Sequence, residues 1–313
     1  MERRNQSFVT EFILLGLSSD RETQVILFVV FLPIYISIIV GNILILIAIR
    51  VDPQLHTPMY FFLSNLSFLD ICYSSMIAPK MLENFLSEKK TISFVGCATQ
   101  MYLSLSLGET ECILLAVMAY DRYVAICYPL RYMTIMNKNV CIRIAAGTWV
   151  CGFVLSVLHV AFTLQVPLCG RNEINHFECE VPAVLRLACV DVSLIGIIIF
   201  VVGIIILLIP IALILVSYIR IIISILKIST ARGRYKAFST CASHITVVVL
   251  FYGTAMYIYM KPQSNDTQDS DKIVTVCYTV ITPMMNPIIY TLRNKEVKGA
   301  LKKSVRIICS QKQ

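Results

Sequence analysis

The chain of 313 residues alternates between long apolar segments and short polar ones. A helix of about 20 apolar residues spans the ~30 Å of hydrocarbon in a bilayer. Five uncharged segments reach this length, namely residues 25–49, 144–170, 192–219, 237–260 and 273–292. Two further segments, residues 58–79 and 91–120, reach it if internal carboxylates are tolerated, which are Asp70 in the first and Glu109 and Glu111 in the second. The pattern predicts an all-α membrane protein built as a seven-transmembrane helix bundle.

The polar segments predict how the chain is divided and oriented. Residues 1–24 are expected to be an extracellular amino terminus, 25–292 the bundle, and 293–313 a cytoplasmic tail. Most of the 27 Lys and Arg residues fall on the side of the carboxyl terminus, and basic residues favour the cytoplasm. Residues 1–24 lack a continuous apolar core, so we expect no cleavable signal peptide. Asn5 begins an Asn-Gln-Ser pattern that predicts N-glycosylation.

Composition agrees with a membrane protein, since 57% of the residues are hydrophobic and only 15% are charged. After residue 292, apolar positions such as Val297 and Val305 recur at helical spacing among lysines and arginines. This predicts a short amphipathic helix lying on the inner leaflet, with Cys309 as a candidate for palmitoylation. Because most of the +8 net charge lies in this tail, we expect anionic membrane lipids as its partner and no nucleic acid.

The twelve cysteines can be divided according to whether they lie in or beside the predicted spans or on the predicted outer side. Four of them, Cys97, Cys169, Cys179 and Cys189, lie on the predicted outer side, where disulfides persist. We favour a bond between Cys97 and Cys179, which leaves Cys169 with Cys189, although four cysteines allow three pairings and the sequence alone leaves them open. Metal binding by His176 and Cys179 is a minor alternative, because one histidine and one thiol do not close a site.

An acid-arginine-tyrosine triplet, Asp121, Arg122 and Tyr123, stands at the end of the third apolar segment. A charge in hydrocarbon is costly unless it is paired or reaches water. We therefore expect Asp121 and Arg122 at the cytoplasmic border, locked to each other or to a partner helix. The simpler alternative is an arginine that snorkels to the interface beside a helix-end acid.

Several motifs follow one another along almost the whole chain. They are Gly41-Asn42, Leu55-His56-Thr57-Pro58-Met59-Tyr60, Met118 to Cys127, Ser217-Tyr218, Lys236 to His244, and Pro283-Met284-Met285-Asn286-Pro287-Ile288-Ile289-Tyr290. In this order they resemble the olfactory branch of the rhodopsin-like G-protein-coupled receptors. The resemblance implies a plasma-membrane receptor that binds small volatile organic ligands inside the bundle. It also implies activation of a stimulatory, olfactory-type G-protein α subunit with its βγ, which raises cyclic AMP.

Other classes of protein fit less well. No His-Glu-x-x-His or Gly-x-Ser-x-Gly motif occurs, so we predict neither an enzyme nor catalytic residues. A transporter is expected to show two similar halves with interrupted helices, and the sequence shows no such repeat. The serious alternative is a receptor of the same fold that senses an endogenous metabolite outside the nose, which the sequence does not separate from an odorant receptor.

The resemblance implies a conformational switch near the triplet, in which Tyr218 and Tyr290 move toward Arg122. Pro287 removes a backbone hydrogen bond and loosens the last span, although a static kink is the plainer interpretation. His244 is a polar latch toward the third span or a satisfied core histidine. The residues expected to take part in coupling and switching are Asp121, Arg122, Tyr123, Tyr218, His244, Asn286, Pro287 and Tyr290.

Polar residues at mid-bilayer depth form a second predicted group. Asn42, Asp70 and Glu111, together with Asn286, are expected to face the interior of the bundle. The resemblance implies an internal sodium ion or proton held by this group, and no other cofactor. A protonated, hydrogen-bonded packing network is an equal alternative.

The predicted ligand site lies in the outer half of the bundle. Ser104, Leu105, Gly108 and Glu109 share one face of the third span. The resemblance adds residues from the fifth, sixth and seventh spans: Gly203, Ile206, Tyr252, Ala255, Tyr259 and Thr279. Helix packing is the alternative role for most of them. Glu109 is foreign to the family pattern, and as an isolated buried acid it would be neutral and favour oxygenated ligands, such as alcohols, acids or ketones, over amines.

Overall fold

The computed structural model describes residues 9–260, 268–293 and 297–300, without the side chains at positions 236, 240, 259, 260, 268 and 291–293. Seven helices in the described residues are long and apolar enough to cross a membrane, which confirms the predicted bundle. We number them as spans one to seven. They are Arg21–Val51, Pro58–Leu86, Phe94–Cys127, Lys138–Leu164, Ser193–Leu226, Ala231–Met260 and, for span seven, Gln268–Val276 followed by the π-helical turn Cys277–Ile281 and Thr282–Arg293.

At two places the helix is shorter than the predicted apolar segment, each for a local reason. Span four ends at Leu164 and not at residue 170, because Pro167 disfavours helix in the residue before it and Cys169 and Gly170 have positive φ angles of 49° and 80°. Span three begins at Phe94 and not at residue 91. There the Ser93 hydroxyl accepts a hydrogen bond from the backbone N–H of Gly96 at 3.0 Å and caps the helix.

A small β-sheet lies at one end of this largely helical chain, and the sequence analysis did not predict it. Strand β1 (Glu11–Leu14) pairs antiparallel with β2 (Thr91–Ser93) and parallel with β3 (Glu173–Ile174). Alternate side chains of β1 point to opposite faces, so Phe12 and Leu14 are buried while Glu11 is exposed. The amino-terminal segment is therefore fixed across the end of the bundle by strands that are distant in sequence.

Two disulfides join the segments at this end, Cys97–Cys179 and Cys169–Cys189, which are the pairings that we favoured. The first links span three to the loop between spans four and five. The Gln100 side-chain oxygen also accepts a hydrogen bond from the backbone N–H of Cys179 at 2.9 Å. We call this the disulfide end of the bundle and the opposite one the Arg122 end.

Small residues let neighbouring spans approach closely. A Cβ on Gly152 in span four would overlap Thr110 Oγ1 and lie 2.8 Å from the carbonyl oxygen of Ser106, both in span three. One turn further, the hydroxyl groups of Ser106 and Ser156 are hydrogen-bonded at 2.6 Å. This glycine and these serines lock spans three and four together, as small and hydroxylated residues do in membrane helices.

The carboxyl-terminal tail is described only in part. Residues 297–300 are helical, and Val297 is fully buried. The rest of the predicted amphipathic helix, including Cys309, lies outside the described residues, as does Asn5. The amphipathic helix, the palmitoylation and the N-glycosylation remain predictions.

Candidate functional site

A cavity of about 790 Å³ lies toward the disulfide end, between spans three, four, five, six and seven. Its volume is in the range of small-molecule sites, about 300–1,000 Å³. Aliphatic and aromatic side chains make up most of the wall, and the loop that carries Cys179 covers it with Val181 and Leu185. A few polar groups stand among them, as expected for a site that binds small, mainly apolar molecules.

Seven of the ten predicted ligand-binding residues line this cavity: Ser104, Leu105, Gly108, Glu109, Gly203, Ile206 and Ala255. Tyr252 does not. Its hydroxyl donates to the Cys112 carbonyl oxygen at 2.8 Å and lies 3.2 Å from the Cys112 sulfur, so Tyr252 supports a residue that does line the cavity. The side chain of Tyr259 lies outside the described residues.

Thr279 is also absent from the cavity wall, and the π-helical turn explains why. The turn Cys277–Ile281 adds a residue to the helical repeat and changes which side chains face the bundle centre. The Thr279 hydroxyl donates to the Thr275 carbonyl oxygen at 2.8 Å and lies beside residues of spans one and two, such as Ile38. Tyr278 lines the cavity instead, with its hydroxyl oxygen 2.5 Å from the position of a Cβ on Gly108.

Glu109 is not the isolated acid that the sequence analysis expected. Its Oε1 atom lies 3.1 Å from Nδ1 of His159 in span four, and both residues line the cavity. Their side chains are only 9% and 8% exposed. The sequence analysis missed His159, although a histidine inside an apolar span needs a polar partner, and this requirement was a signal that could have been used.

Acidic groups and a histidine also meet in the loop over the cavity. His176, Glu178 and Glu180 each bring one potential ligand atom within 4.8 Å of the others. Burial lowers the pKa of His176, and burial beside Glu180 raises the pKa of Glu178 well above its ordinary value. Cys179 forms the disulfide with Cys97 and is therefore not a metal ligand, so the alternative of metal binding by His176 and Cys179 is wrong.

Glu111 and Asn286 of the polar group predicted at mid-bilayer depth lie around Asp70, while Asn42 is buried in span one. The side-chain amide of Asn286 donates to both Asp70 oxygens, at 3.2 and 3.0 Å, and Glu111 interacts electrostatically with Asp70. Three buried acceptor oxygens, Asn42 Oδ1, Glu111 Oε1 and Asn286 Oδ1, have no hydrogen-bond partner among the described residues. Such a set of oxygens fits a small hard cation or an added proton.

Arg122 is buried at the opposite end. Of the two expected locks, to Asp121 or to a partner helix, the ion pair with Asp121 is not seen among the described residues. Asp121 Oδ1 instead accepts a hydrogen bond at 2.9 Å from the hydroxyl of Tyr132, in the short helix Tyr132–Ile135 that follows span three. Two guanidinium nitrogens of Arg122, Nε and Nη1, have no hydrogen-bond partner in the described part of the chain. The hydroxyl groups of Tyr218 and Tyr290 lie close enough to interact with it electrostatically.

Of the remaining predicted switch residues, Tyr218 and His244 lie near Arg122, while Pro287 and Tyr123 make contacts elsewhere. The hydroxyl of Tyr218 in span five is hydrogen-bonded to Nδ1 of the fully buried His244 in span six at 2.7 Å. This bond to span five fits the expectation of a satisfied core histidine, and the backbone of Leu115 in span three also lies close to His244. Pro287 packs on span one, with its ring carbons 3.1 and 3.3 Å from the position of a Cβ on Gly41. Tyr123 points toward the following loop, where its hydroxyl donates to that of Tyr128 at 3.4 Å.

Seven spans with a ligand-sized cavity at one end and a buried arginine among tyrosines at the other define a seven-helix membrane receptor. A family model described as olfactory receptor matches residues 31–310, and the chain belongs to that family. It is 54% identical to Olfactory receptor 13D1 of Homo sapiens, over 97% of this chain and 88% of that protein. It is 51% identical to Olfactory receptor 2G3 of Homo sapiens, over 96% and 97%, and 50% identical to Olfactory receptor 5AR1 of Mus musculus, over 97% and 98%.

Membership of this family makes the chain an odorant-sensing receptor of the plasma membrane and not an enzyme. The resemblance drawn from the sequence motifs is thereby confirmed.

Proposed function

We propose that the chain binds small volatile organic ligands in the cavity between spans three to seven. Ligand binding then activates a stimulatory, olfactory-type G-protein α subunit with its βγ and raises cyclic AMP. The cavity carries this proposal, since its volume of about 790 Å³ and its mainly apolar wall suit such ligands.

The proposed orientation puts the disulfide end outside the cell and the Arg122 end in the cytoplasm. Disulfides persist in oxidising surroundings, which supports an extracellular position for Cys97–Cys179. The excess of Lys and Arg in the connections at the Arg122 end supports the same orientation. Ligands then reach the cavity from outside, and the G protein docks at the face around Arg122.

Hydrogen bonds along span six suggest how the two ends communicate. Tyr252 of span six is hydrogen-bonded to Cys112, a cavity residue of span three. About two helical turns nearer to Arg122, His244 of span six is hydrogen-bonded to Tyr218 of span five. A ligand that favours a different position of span six strains both contacts. It shifts the population of the receptor toward a state in which the face around Arg122 accepts the G protein.

The oxygen-rich group around Asp70 is proposed to hold a sodium ion or a proton. The unpartnered oxygens of Asn42, Glu111 and Asn286 support this role, because a cation or proton among them offsets the cost of leaving them buried. Glu111 lies on span three between the cavity residue Gly108 and Arg122, so the occupancy of the group is expected to change with activation.

A cyclic-AMP reporter in transfected cells tests the proposed function. Cells that express the chain should respond to members of a broad odorant panel in which endogenous metabolites are included. Arg122→Ala should abolish the response while surface expression stays largely intact, and Lys80→Ala, which removes a partly exposed charge paired with Glu83 near the other end, should not. Normal signalling by Arg122→Ala contradicts the coupling mechanism.

A further inference from the structure

The contact between Glu109 and His159 has unused hydrogen-bonding capacity. Although Nδ1 of His159 lies 3.1 Å from Oε1 of Glu109, the atoms are not aligned as a hydrogen bond. His159 Nδ1 and Glu109 Oε2 are both buried without a hydrogen-bond partner among the described residues. Leaving a buried polar group without a hydrogen-bond partner is unfavourable, so a ligand that completes these bonds gains affinity.

The two side chains are held on a well-fixed part of the bundle. The Ser106–Ser156 hydrogen bond lies one helical turn from each of them, on the same two spans. The Tyr102 hydroxyl also donates to the Phe153 carbonyl oxygen across this interface at 3.1 Å. The helices that carry Glu109 and His159 are thus locked, while the terminal torsions of the carboxyl and the imidazole remain soft enough to turn toward the cavity.

The charge of the pair limits which ligands fit. Glu109 and His159 are net neutral whether the proton belongs to the histidine or to the carboxyl group. The charged residues of the wall, Glu178, Glu180 and Arg186, belong to the covering loop, whereas Leu105 and Ile206 on the spans are apolar. An ammonium or carboxylate group bound at Glu109 and His159 adds a net charge among the apolar side chains, and a buried net charge is costly. A neutral polar group avoids this cost.

Hydrogen-bond matching limits the ligand further. In each net-neutral arrangement the pair offers both an acceptor and a donor. A hydroxyl group also has both, whereas a carbonyl or ether oxygen only accepts and leaves the acceptor of the pair unpartnered. Sites built to bond a hydroxyl reject analogues that lack it.

We propose that Glu109 and His159 together form a hydroxyl-recognition site, so that the cavity takes neutral alcohols or phenols with an apolar body. This inference rests on the proposed function, because it names the ligand class of the same cavity. It narrows the ligand class from the oxygenated ligands that Glu109 alone suggests, such as alcohols, acids or ketones, to those with a hydroxyl group. The unpartnered carboxyl oxygen beside His159 is the observation that distinguishes a hydroxyl from a carbonyl.

The test uses linear, branched and cyclic alcohols, each beside its isomeric methyl ether, the matching aldehyde or ketone, and the matching primary amine. Ligand-induced thermal stabilisation of the purified full-length receptor measures binding independently of the G protein, and the cyclic-AMP reporter measures signalling. For the best alcohol, we expect at least tenfold higher apparent affinity than for its ether, carbonyl and amine analogues. Equal affinity of the ether or ketone, a stronger amine, or no stabilisation by any alcohol overturns the inference.

The roles of Glu109 and His159 are tested with variants, by measuring in each variant the ratio of the apparent affinities for an alcohol and for its ether. This ratio does not depend on the expression level of the variant. Glu109→Gln keeps a donor and an acceptor and should preserve most of the preference for alcohol over ether, whereas Glu109→Leu and His159→Leu should reduce it to less than threefold. Glu83→Gln, an exposed acid outside the cavity, is the control. A preference that survives Glu109→Leu and His159→Leu overturns the inference. Selective binding of alcohols without a cyclic-AMP response leaves the inference standing and contradicts the proposed coupling.

Discussion

Gly152 gives a sharp test of how spans three and four are held together. A Cβ at this position would overlap Thr110 Oγ1 and would lie 2.8 Å from the Ser106 carbonyl oxygen and 2.9 Å from the Thr110 backbone nitrogen. Two of these atoms belong to the backbone of span three and cannot turn aside. Gly152→Ala therefore forces the two helices apart.

The size of the effect follows from a matched control in the same helix. Gly147 is exposed and has nothing within 4 Å of an added Cβ. Replacing glycine by alanine improves helix propensity by about 1 kcal/mol at either site, so this gain cancels in the comparison. Overpacking costs typically 1–3 kcal/mol, and we expect Gly152→Ala to be less stable than Gly147→Ala by about that amount.

The thermal-inactivation midpoint of the detergent-solubilised receptor measures this difference, with surface expression as a second readout. Gly152→Ala should have a lower midpoint and lower surface expression than Gly147→Ala, whose midpoint should equal or slightly exceed that of the wild type. Its agonist potency should also fall, because His159 lies on the displaced span. Equal midpoints for the two variants would refute the packing argument.

Three further predictions concern the Cys97–Cys179 disulfide, the Tyr218–His244 hydrogen bond and the buried carboxyl group of Glu178. Cys97→Ser and Cys179→Ser should fail alike in surface expression, since losing a native disulfide often costs about 2–5 kcal/mol in small domains, and additive defects in the double variant would contradict their pairing. Tyr218→Phe should lower the thermal midpoint by leaving buried His244 unpaired, at a cost of about 1–3 kcal/mol, and adding His244→Leu should cause no further loss. Because the folded-state pKa of Glu178 is raised, its contribution to stability is full below the ordinary glutamate pKa of about 4.3 and is lost as the pH rises from there through the raised pKa, so Glu178→Gln should flatten this fall in midpoint.

Local pattern was enough to predict the spans and much of the cavity. Each span can be predicted from its own run of apolar residues. The position of cavity residues such as Ser104 and Gly108 can be predicted from the helical repeat within span three. The fold could be anticipated because membrane helices satisfy their backbone hydrogen bonds internally.

The missed features depend on residues that are far apart or on a local change of helix type. Strand β1 has only four residues and forms against segments about 80 and 160 positions away, which no local pattern indicates. The π-helical turn displaces Thr279 from the cavity, and single-sequence periodicity assumes a constant repeat. The partner of Glu109 lies 50 residues further along the chain, so only the packing of spans three and four reveals it.

The most direct test of the central claim is whether ligands act from the cavity between spans three to seven. Gly203 lines the cavity and has nothing within 4 Å of an added Cβ, so we expect Gly203→Leu to add volume inside the cavity, while Gly147→Leu adds the same side chain to an exposed surface. Agonist concentration–response curves for cyclic AMP should show at least a tenfold loss of potency for Gly203→Leu at wild-type surface expression, and no change for Gly147→Leu. Unchanged potency of every agonist with Gly203→Leu would contradict the account.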